Sequence, residues 1–536
     1  MFYQVYPPSF CLADPDGRLG RLAPPHTSPG LARLAGGSGD LEGVRRRLAY
    51  LAWLGVDAIW LCPFYKSPMA DFGYDVSDHC DVDPLFGTLE DFDRLVDDAH
   101  RLGIRVVLDL VPNHTSVEHP WFADARSSRD SAHRSWYVWR DPDPDEPARP
   151  PNNWVRAFGE GPAWTFDQAT QQWYLHLFLP EQPDLDWANP EVEEAMLDVM
   201  RFWLERGADG FRIDVTQGLG KDPALPDAPA EQAGIPWSEQ NDDERTHPIL
   251  RRVRRFLDSF ANEPVSVGEV FLLRTETVAR YYGDGDELHL AFNFPPMFCG
   301  FEASCFRARV EEVERFLTPR NAWPTWVLSS HDRPRHRTRY GGSERRARAA
   351  AVVLLAMRGT PFLCWGEELG QEDAEVPPEA MLDPGGRDGC RALMAWDSGD
   401  LHGWALPEGH KPLFPFPPEA AVRNVETEAG DPGSVLSLYR ELIALRRSDE
   451  VLRLGHSRLL EAPPDLLAVE RFAEDGRRIL VGVNFAPSEL AWPVGGATVL
   501  VSSAGEGHLC GPAEGYGGRL GPEEAVVLRV EPTAVA

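Results

Sequence analysis

Eight short β-rich runs, with helix-patterned stretches between most of them, leave this 536-residue chain few architectures. The runs are Phe2–Tyr6, Ala58–Pro63, Arg105–Leu110, Gly210–Asp214, Val265–Glu269, Leu288–Phe292, Trp326–Ser330 and Pro361–Trp365. Helical periodicity covers Leu41–Leu54, Leu89–Leu102 and Pro190–Arg206, and a last helix is expected over Pro432–Arg447. Strands that alternate with helices pair in parallel, and eight such units predict a closed α/β fold, the (β/α)8 or TIM barrel. Between the third and fourth runs, Thr115–Asn189 is rich in Pro, Trp and Asp without clean periodicity, so it reads as an inserted subdomain. Beyond the last helix, alternating segments such as Leu466–Phe472, Arg478–Asn484 and Ala525–Val530 predict a C-terminal antiparallel β-sandwich. The expected division is 1–114 and 190–450 for the two parts of the barrel, 115–189 for the insertion and 451–536 for the sandwich. Gly403–Pro418 reads as a linker, a lid or a binding loop.

Charge narrows the partners. Lys and Arg number 53 against 84 Asp and Glu, a net charge of −31. Such a field repels phosphate backbones and anionic lipid, which argues against nucleic acid and membrane surfaces. A neutral sugar is compatible with it, and 17 Trp supply faces on which sugar rings stack. The opening residues lack a basic stretch followed by an apolar one, and no apolar run is long enough to span a bilayer, so a cytoplasmic protein is expected. The eight cysteines (11, 62, 80, 299, 305, 364, 390 and 510) are scattered without metal-type spacing, and reduced thiols are expected. The oligomeric state is left open.

Chemistry gathers where the runs end. The third gives Asp109-Leu-Val-Pro-Asn113-His114, the fourth Arg212-Ile-Asp214, the fifth Gly268-Glu269-Val270, and the seventh His331-Asp332 followed by Arg335. A parallel barrel delivers every strand's C-terminal end to one face, so these acids converge there. One acid at a strand end is often a helix cap, but several in company with His and Arg are harder to explain that way. Clustered carboxylates suit glycoside cleavage: one attacks the anomeric carbon and another donates a proton to the leaving oxygen. Arg212, two residues before Asp214, points the same way and is expected to keep it ionised. The apolar surroundings of Glu269 (Val267, Val270, Phe271) are expected to raise its pKa for acid/base work, and Asp332 is expected to face the positive charge of the transition state.

These four segments, together with Gln182-Pro-Asp-Leu-Asp-Trp187, resemble the signatures of the α-amylase family of retaining glycosidases, within it the α-glucosidase and oligo-1,6-glucosidase branch. The resemblance runs in order along nearly the whole chain. It implies a nucleophile at Asp214, a general acid/base at Glu269 and a transition-state stabiliser at Asp332, with Arg212 supporting the nucleophile. It further implies that His114 and His331 bond sugar hydroxyls, that Tyr74 stacks on the sugar, that Asp71 and Arg391 grip its non-reducing end, and that Arg335 pairs near the stabilising acid. A pocket closed by such a pair releases one glucose at a time from short α-glucosides such as maltose, isomaltose, malto-oligosaccharides or sucrose-type disaccharides.

Three departures qualify that resemblance. Many relatives hold a divalent cation in an Asp-rich loop after the first strand. Here Leu34–Leu41 offers only Asp40, too few oxygens for a hard cation, so neither metal nor cofactor is expected. The stretch Asp14-Pro-Asp16-Gly17 reads as a turn. Ser330 stands where relatives often have Asn before the histidine. Val215 after the nucleophile goes with α-1,6 preference, while Lys221-Asp222-Pro223 and Gly386–Cys390 resemble a branch acting on α-1,4 and mixed linkages, which leaves linkage open. Two other readings compete: a transglucosylase or disaccharide isomerase with a sugar as acceptor, and a non-catalytic family member, against which the three intact acids argue.

Overall fold

All eight runs are strands in the computed structural model, which describes residues 1–12, 37–406, 410–504 and 515–530. They are β1 (Phe2–Val5), β2 (Ala58–Leu61), β3 (Arg105–Leu110), β4 (Gly210–Ile213), β5 (Val265–Gly268), β6 (Leu290–Ala291), β7 (Thr325–Val327) and β8 (Thr360–Cys364). They pair in parallel in the order β6-β5-β4-β3-β2-β1-β8-β7. That is a barrel with one seam, between β6 and β7. A side chain bridges it: the Thr325 hydroxyl donates to the Ala291 carbonyl and accepts from the Asn293 N–H, each at 2.9 Å.

The barrel helices start and stop where local chemistry tells them to. Leu41–Leu54 begins on Asp40, whose carboxylate accepts from the Gly43 N–H, and ends at Gly55, in the left-handed region that glycine enters freely. Leu89–Arg101 opens on a Thr88/Asp91 capping box, and Pro190–Glu205 on Asn189 with proline in the first turn. The last helix is Val435–Ser448, starting three residues later than expected because Ser434 caps it. Between β3 and β4 lies a three-stranded antiparallel sheet, Trp139–Arg140, Gln172–Leu175 and Trp164–Asp167.

The expected C-terminal sandwich is an antiparallel sheet of five strands with a reduced second layer. The strands run in the order His456–Leu459, Leu466–Phe472, Arg478–Asn484, Ala525–Val530, Ala497–Ser502, and the second layer is the ribbon Leu490–Ala491 with Arg519–Leu520. Trp492 fills the gap between them and lies so close to Gly482 that a Cβ there would meet the indole at 2.2 Å. The other face of the sheet (Leu467, Val469, Val481, Val527) joins the core of the barrel. Buried Arg471 on this sheet donates to the carbonyls of Ala356, Val451 and Gly455, which ties it to the end of the helix Glu344–Ala356.

The expectation of reduced thiols needs one correction. Cys299 follows the turn Pro295–Phe298 and Cys305 lies in the first turn of the helix Ala303–Glu312. Their Cα atoms are 5.7 Å apart, within bridging distance, and they form a disulfide. Cys11, Cys62, Cys80, Cys364 and Cys390 are free, and Cys510 lies outside the described residues. So does the turn expected at Asp14–Gly17, and so does part of the linker at 403–418.

Several buried groups titrate far from their usual range, and the signs can be worked out. Burial pushes the carboxyls of Asp75 and Glu367 up to about 7 and that of Glu428 up to about 8. Each therefore loses stabilisation as pH climbs from its unfolded value to those points. Burial holds His79 and His176 down at about 4 and His336 at about 3, so they withdraw stability only below about 6.5. Above that pH only the acids count. Unfolding free energy is expected to peak near pH 6.5 and to fall by on the order of 2–3 kcal/mol by pH 8, from about 1.4 kcal/mol per proton per pH unit. Denaturant unfolding at both pH values checks this, and equal or greater stability at pH 8 would overturn it.

Candidate active site

The strand ends meet, as the barrel requires, around one buried guanidinium. Arg212 on β4 is held by three carboxylates: Asp109 from β3 at 2.8 Å, Asp214 after β4 at 2.5 Å, and Glu269 after β5 at 2.9 Å. One cation cannot neutralise three anions in a buried place. Burial, reinforced by the neighbouring charges of Glu269 and Asp109, outweighs Arg212 and drives the Asp214 carboxyl well above the usual range. Asp109 is pushed up to about 6 by burial. Arg212 was expected to keep Asp214 ionised; burial and the neighbouring carboxylates work against it. Glu269 shares Arg212 and accepts the Val215 N–H at 3.1 Å. Val215 has a φ of 44°, an uncommon conformation for a β-branched residue, and that turn aims its N–H at the Glu269 carboxylate.

Asp332 is the opposite case. Burial opposes its ionisation, but the guanidiniums of Arg387 and Arg391 help to outweigh burial and hold the carboxyl far below the ordinary range. Gln4 on β1 donates to His331 Nδ1 at 2.6 Å, which leaves the ring proton on Nε2. That atom is 2.7 Å from the Tyr74 hydroxyl and 3.2 Å from Asp332. The Tyr74 hydroxyl donates to Asp109 at 2.9 Å, and its ring stacks on His331 at 5.4 Å. Burial keeps both His331 and His114 neutral, down at about 3.

A cavity of about 370 Å³ opens over these groups, lined among others by Asp71, Tyr74, His114, Asp214, Glu269 and Asp332. Its volume is at the lower end for small-molecule sites, which run from roughly 300 to 1,000 Å³. Asp71 and Arg387, 2.5 Å apart, both line it. Arg387 also reaches Asp332 at 2.9 Å and Asp383 at 2.7 Å, and lies over the Phe158 ring. Gln182 donates to Asp71 at 3.1 Å and lies 3.0 Å from His114 Nε2. Asp184 accepts from Lys221 at 3.1 Å and Asn113 at 3.1 Å, fastening the inserted stretch to the barrel.

Two sequence expectations are corrected here. The guanidinium paired with Asp71 is Arg387, not Arg391. Arg391 is fully buried behind it, bonded to Asp383 at 3.1 Å and to the His331 carbonyl, because the loop between them turns and leaves only the earlier arginine on the cavity wall. Arg335 does not pair with Asp332 either. The chain turns away after Asp332, and Arg335 donates to the Trp365 carbonyl at 2.6 Å while its own backbone N–H donates to Asp373. Gln4 and Arg387 are the site residues that sequence reading missed. Nothing marks Gln4 beyond its place on the first strand, and Arg387 sits in the Gly386–Cys390 segment noted only for linkage.

Asp40, the acid of the loop after β1, is occupied as a helix cap. Among the described residues no group of three or more His, Cys, Asp or Glu side chains gathers as a metal site would. No helix among them is long and apolar enough to cross a membrane.

A parallel barrel with carboxylates from separate strand ends around an arginine, lining one cavity, defines a glycoside-bond-cleaving enzyme of the α-amylase type. The chain belongs to the α-amylase family, whose catalytic-domain model matches residues 4–455. It is 40% identical over 507 residues to a probable alpha-glucosidase of Rhizobium meliloti, covering 88% of this chain and 86% of that one. Among solved structures it is similar to the alpha-glucosyl transfer enzyme XgtA, with a TM-score of 0.86, 36% identity, and coverage of 99% and 98%. It is also similar to the trehalulose synthase MutB of Pseudomonas mesoacidophila MX-45, with a TM-score of 0.85, 30% identity, and coverage of 99% and 98%.

Proposed function

We propose that the protein is a retaining, exo-acting α-glucosidase that removes single glucose units from the non-reducing end of short α-glucosides. The observation that carries this is the Asp71–Arg387 ion pair in the wall of the cavity that Asp214, Glu269 and Asp332 also line. In this reading the pair grips a chain terminus. In this reading Asp214 attacks the anomeric carbon and Glu269 protonates the leaving oxygen. A covalent glucosyl-enzyme forms, and Glu269 then takes a proton from the incoming water. Asp332, held anionic by its neighbours, faces the positive charge that develops in between. Bond breaking starts with the proton on Glu269 and with Asp214 ionised, both carboxylates being held by Arg212. Neither a metal nor a cofactor enters the scheme. His114 and Tyr74 contact the sugar bound against Asp71. A cytoplasmic location belongs to the same reading, with five free thiols beside the one disulfide among the described residues.

Proton NMR of the first turnovers on maltose, isomaltose and sucrose tests this. Free α-glucose is expected to appear before the β-anomer, with soluble starch nearly untouched. β-Glucose appearing first would exclude retention, and rapid shortening of starch would exclude exo action. The similarity to a glucosyl transfer enzyme along 99% of the chain favours a second reading, in which a sugar outcompetes water as acceptor. Early accumulation of new disaccharides or trisaccharides would select it.

A further inference from the structure

The cavity's charged groups are unequally provided for. Arg212 is matched by three carboxylates, and so is Arg387, with Asp71, Asp332 and Asp383. Arg333 also lines the cavity, yet it forms no ion pair among the described residues. It rests instead against two rings that pack on each other: its guanidinium carbon is 5.0 Å from the Phe271 centroid and 5.0 Å from that of Phe298, and the two centroids are 6.2 Å apart. A guanidinium lying against rings keeps its N–H edge available for a forked pair of bonds. With the sugar's non-reducing end placed against Asp71 and Arg387, this wall belongs to the other side of the scissile bond. Phe271 is two residues after Glu269 and packs on Phe294, which also lines the cavity. The remaining acid on this side is Glu239. Burial raises its carboxyl, Arg333 opposes that, and the two are not within ion-pair distance.

We propose that Arg333, resting against Phe271 and Phe298, is a subsite for an anionic group, carboxylate or phosphonate-like, on the leaving group of the α-glucoside. This rests on the α-glucosidase reading and names the substrate class it favours: α-glucosides whose aglycone carries a negative charge beside an apolar body. The chain's overall negative field works against such ligands, so the selectivity is local to this guanidinium and is lost with it.

The test is binding of uncleavable ligands that differ only in charge: 4-carbamoylphenyl, 4-carboxyphenyl and 4-phosphonophenyl 1-thio-α-glucosides, titrated calorimetrically into the full chain. The wild type is expected to bind at least one anionic member about tenfold or more tightly than the neutral amide, from a charge-assisted forked pair. The member preferred tells carboxylate from phosphonate. Arg333→Gln is expected to bring that ratio to about one or below, and Arg333→Lys to recover part of it, since an ammonium keeps the charge but not the fork. Equal binding of all three ligands by the wild type, or a ratio unchanged in Arg333→Gln, overturns the proposal. Competition between benzoate and benzamide against wild-type turnover gives the same answer without a variant. Turnover of 4-nitrophenyl α-glucoside is read in parallel: its absence counts against the glucosidase reading, while the binding ratio still decides the subsite.

Discussion

Replacing Asp214 by asparagine is expected to lower kcat on maltose by about 10⁴–10⁶-fold, the scale seen when a member of a covalent catalytic set is removed. No other carboxylate can take its place: Asp109 accepts from Tyr74 deep in the floor, and Asp332 is committed to Arg387. Stability should move the other way. Burial and two neighbouring carboxylates press the Asp214 carboxyl toward its neutral form, and asparagine is neutral at every pH. The melting temperature of the variant is therefore expected to equal or exceed that of the wild type. Residual activity within tenfold of wild type would remove Asp214 from the nucleophile's role. A lost native fold would show instead that the cluster around Arg212 is structural.

Glu269→Gln is expected to separate substrates by leaving group. A proton donor matters when the departing oxygen is basic, so turnover of maltose should fall by about 10³–10⁴-fold. α-Glucosyl fluoride needs little protonation and should be cleaved with a loss at least tenfold smaller. The alkaline limb of the kcat/KM profile on maltose should disappear with the donor. Equal losses on both substrates, with that limb intact, would assign the proton to another group.

Much of this was legible in the sequence, for identifiable reasons. Each barrel strand is a short apolar run beside a helix whose caps are written in the local residues. Thr88 with Asp91, and Asn189 before Pro190, mark their helices without reference to anything distant. The acids at the strand ends followed from the fold itself, since a parallel barrel has one face on which to gather them. What escaped depended on contacts across the chain. Arg387 and Arg391 lie four residues apart in one loop, and no local signal says which turns toward Asp71, 316 residues away in sequence. The Arg212 contact with Glu269 was hidden because the strand context of Glu269 is apolar, while its side chain reaches across to β4. Gln4 is one polar residue in the first strand, and only the fold places it against His331. The Cys299–Cys305 bond joins residues six apart, and only the fold of the segment between them brings the two within bridging distance.

The reach of Arg471 has a consequence for anyone treating the chain as separable modules. The family's catalytic model stops at residue 455, which invites a shortened version ending there. Such a cut would pass beside Gly455, one of the carbonyls that Arg471 binds, and would remove the guanidinium that satisfies the carbonyl of Ala356. It would also uncover the apolar side of the sheet's partner helix, whose Ala349 to Leu355 are all buried. The terminal sheet is thus part of the barrel's outer wall. Swapping it between relatives amounts to replacing a section of core, and it calls for matched partners on the helix as well as on the sheet.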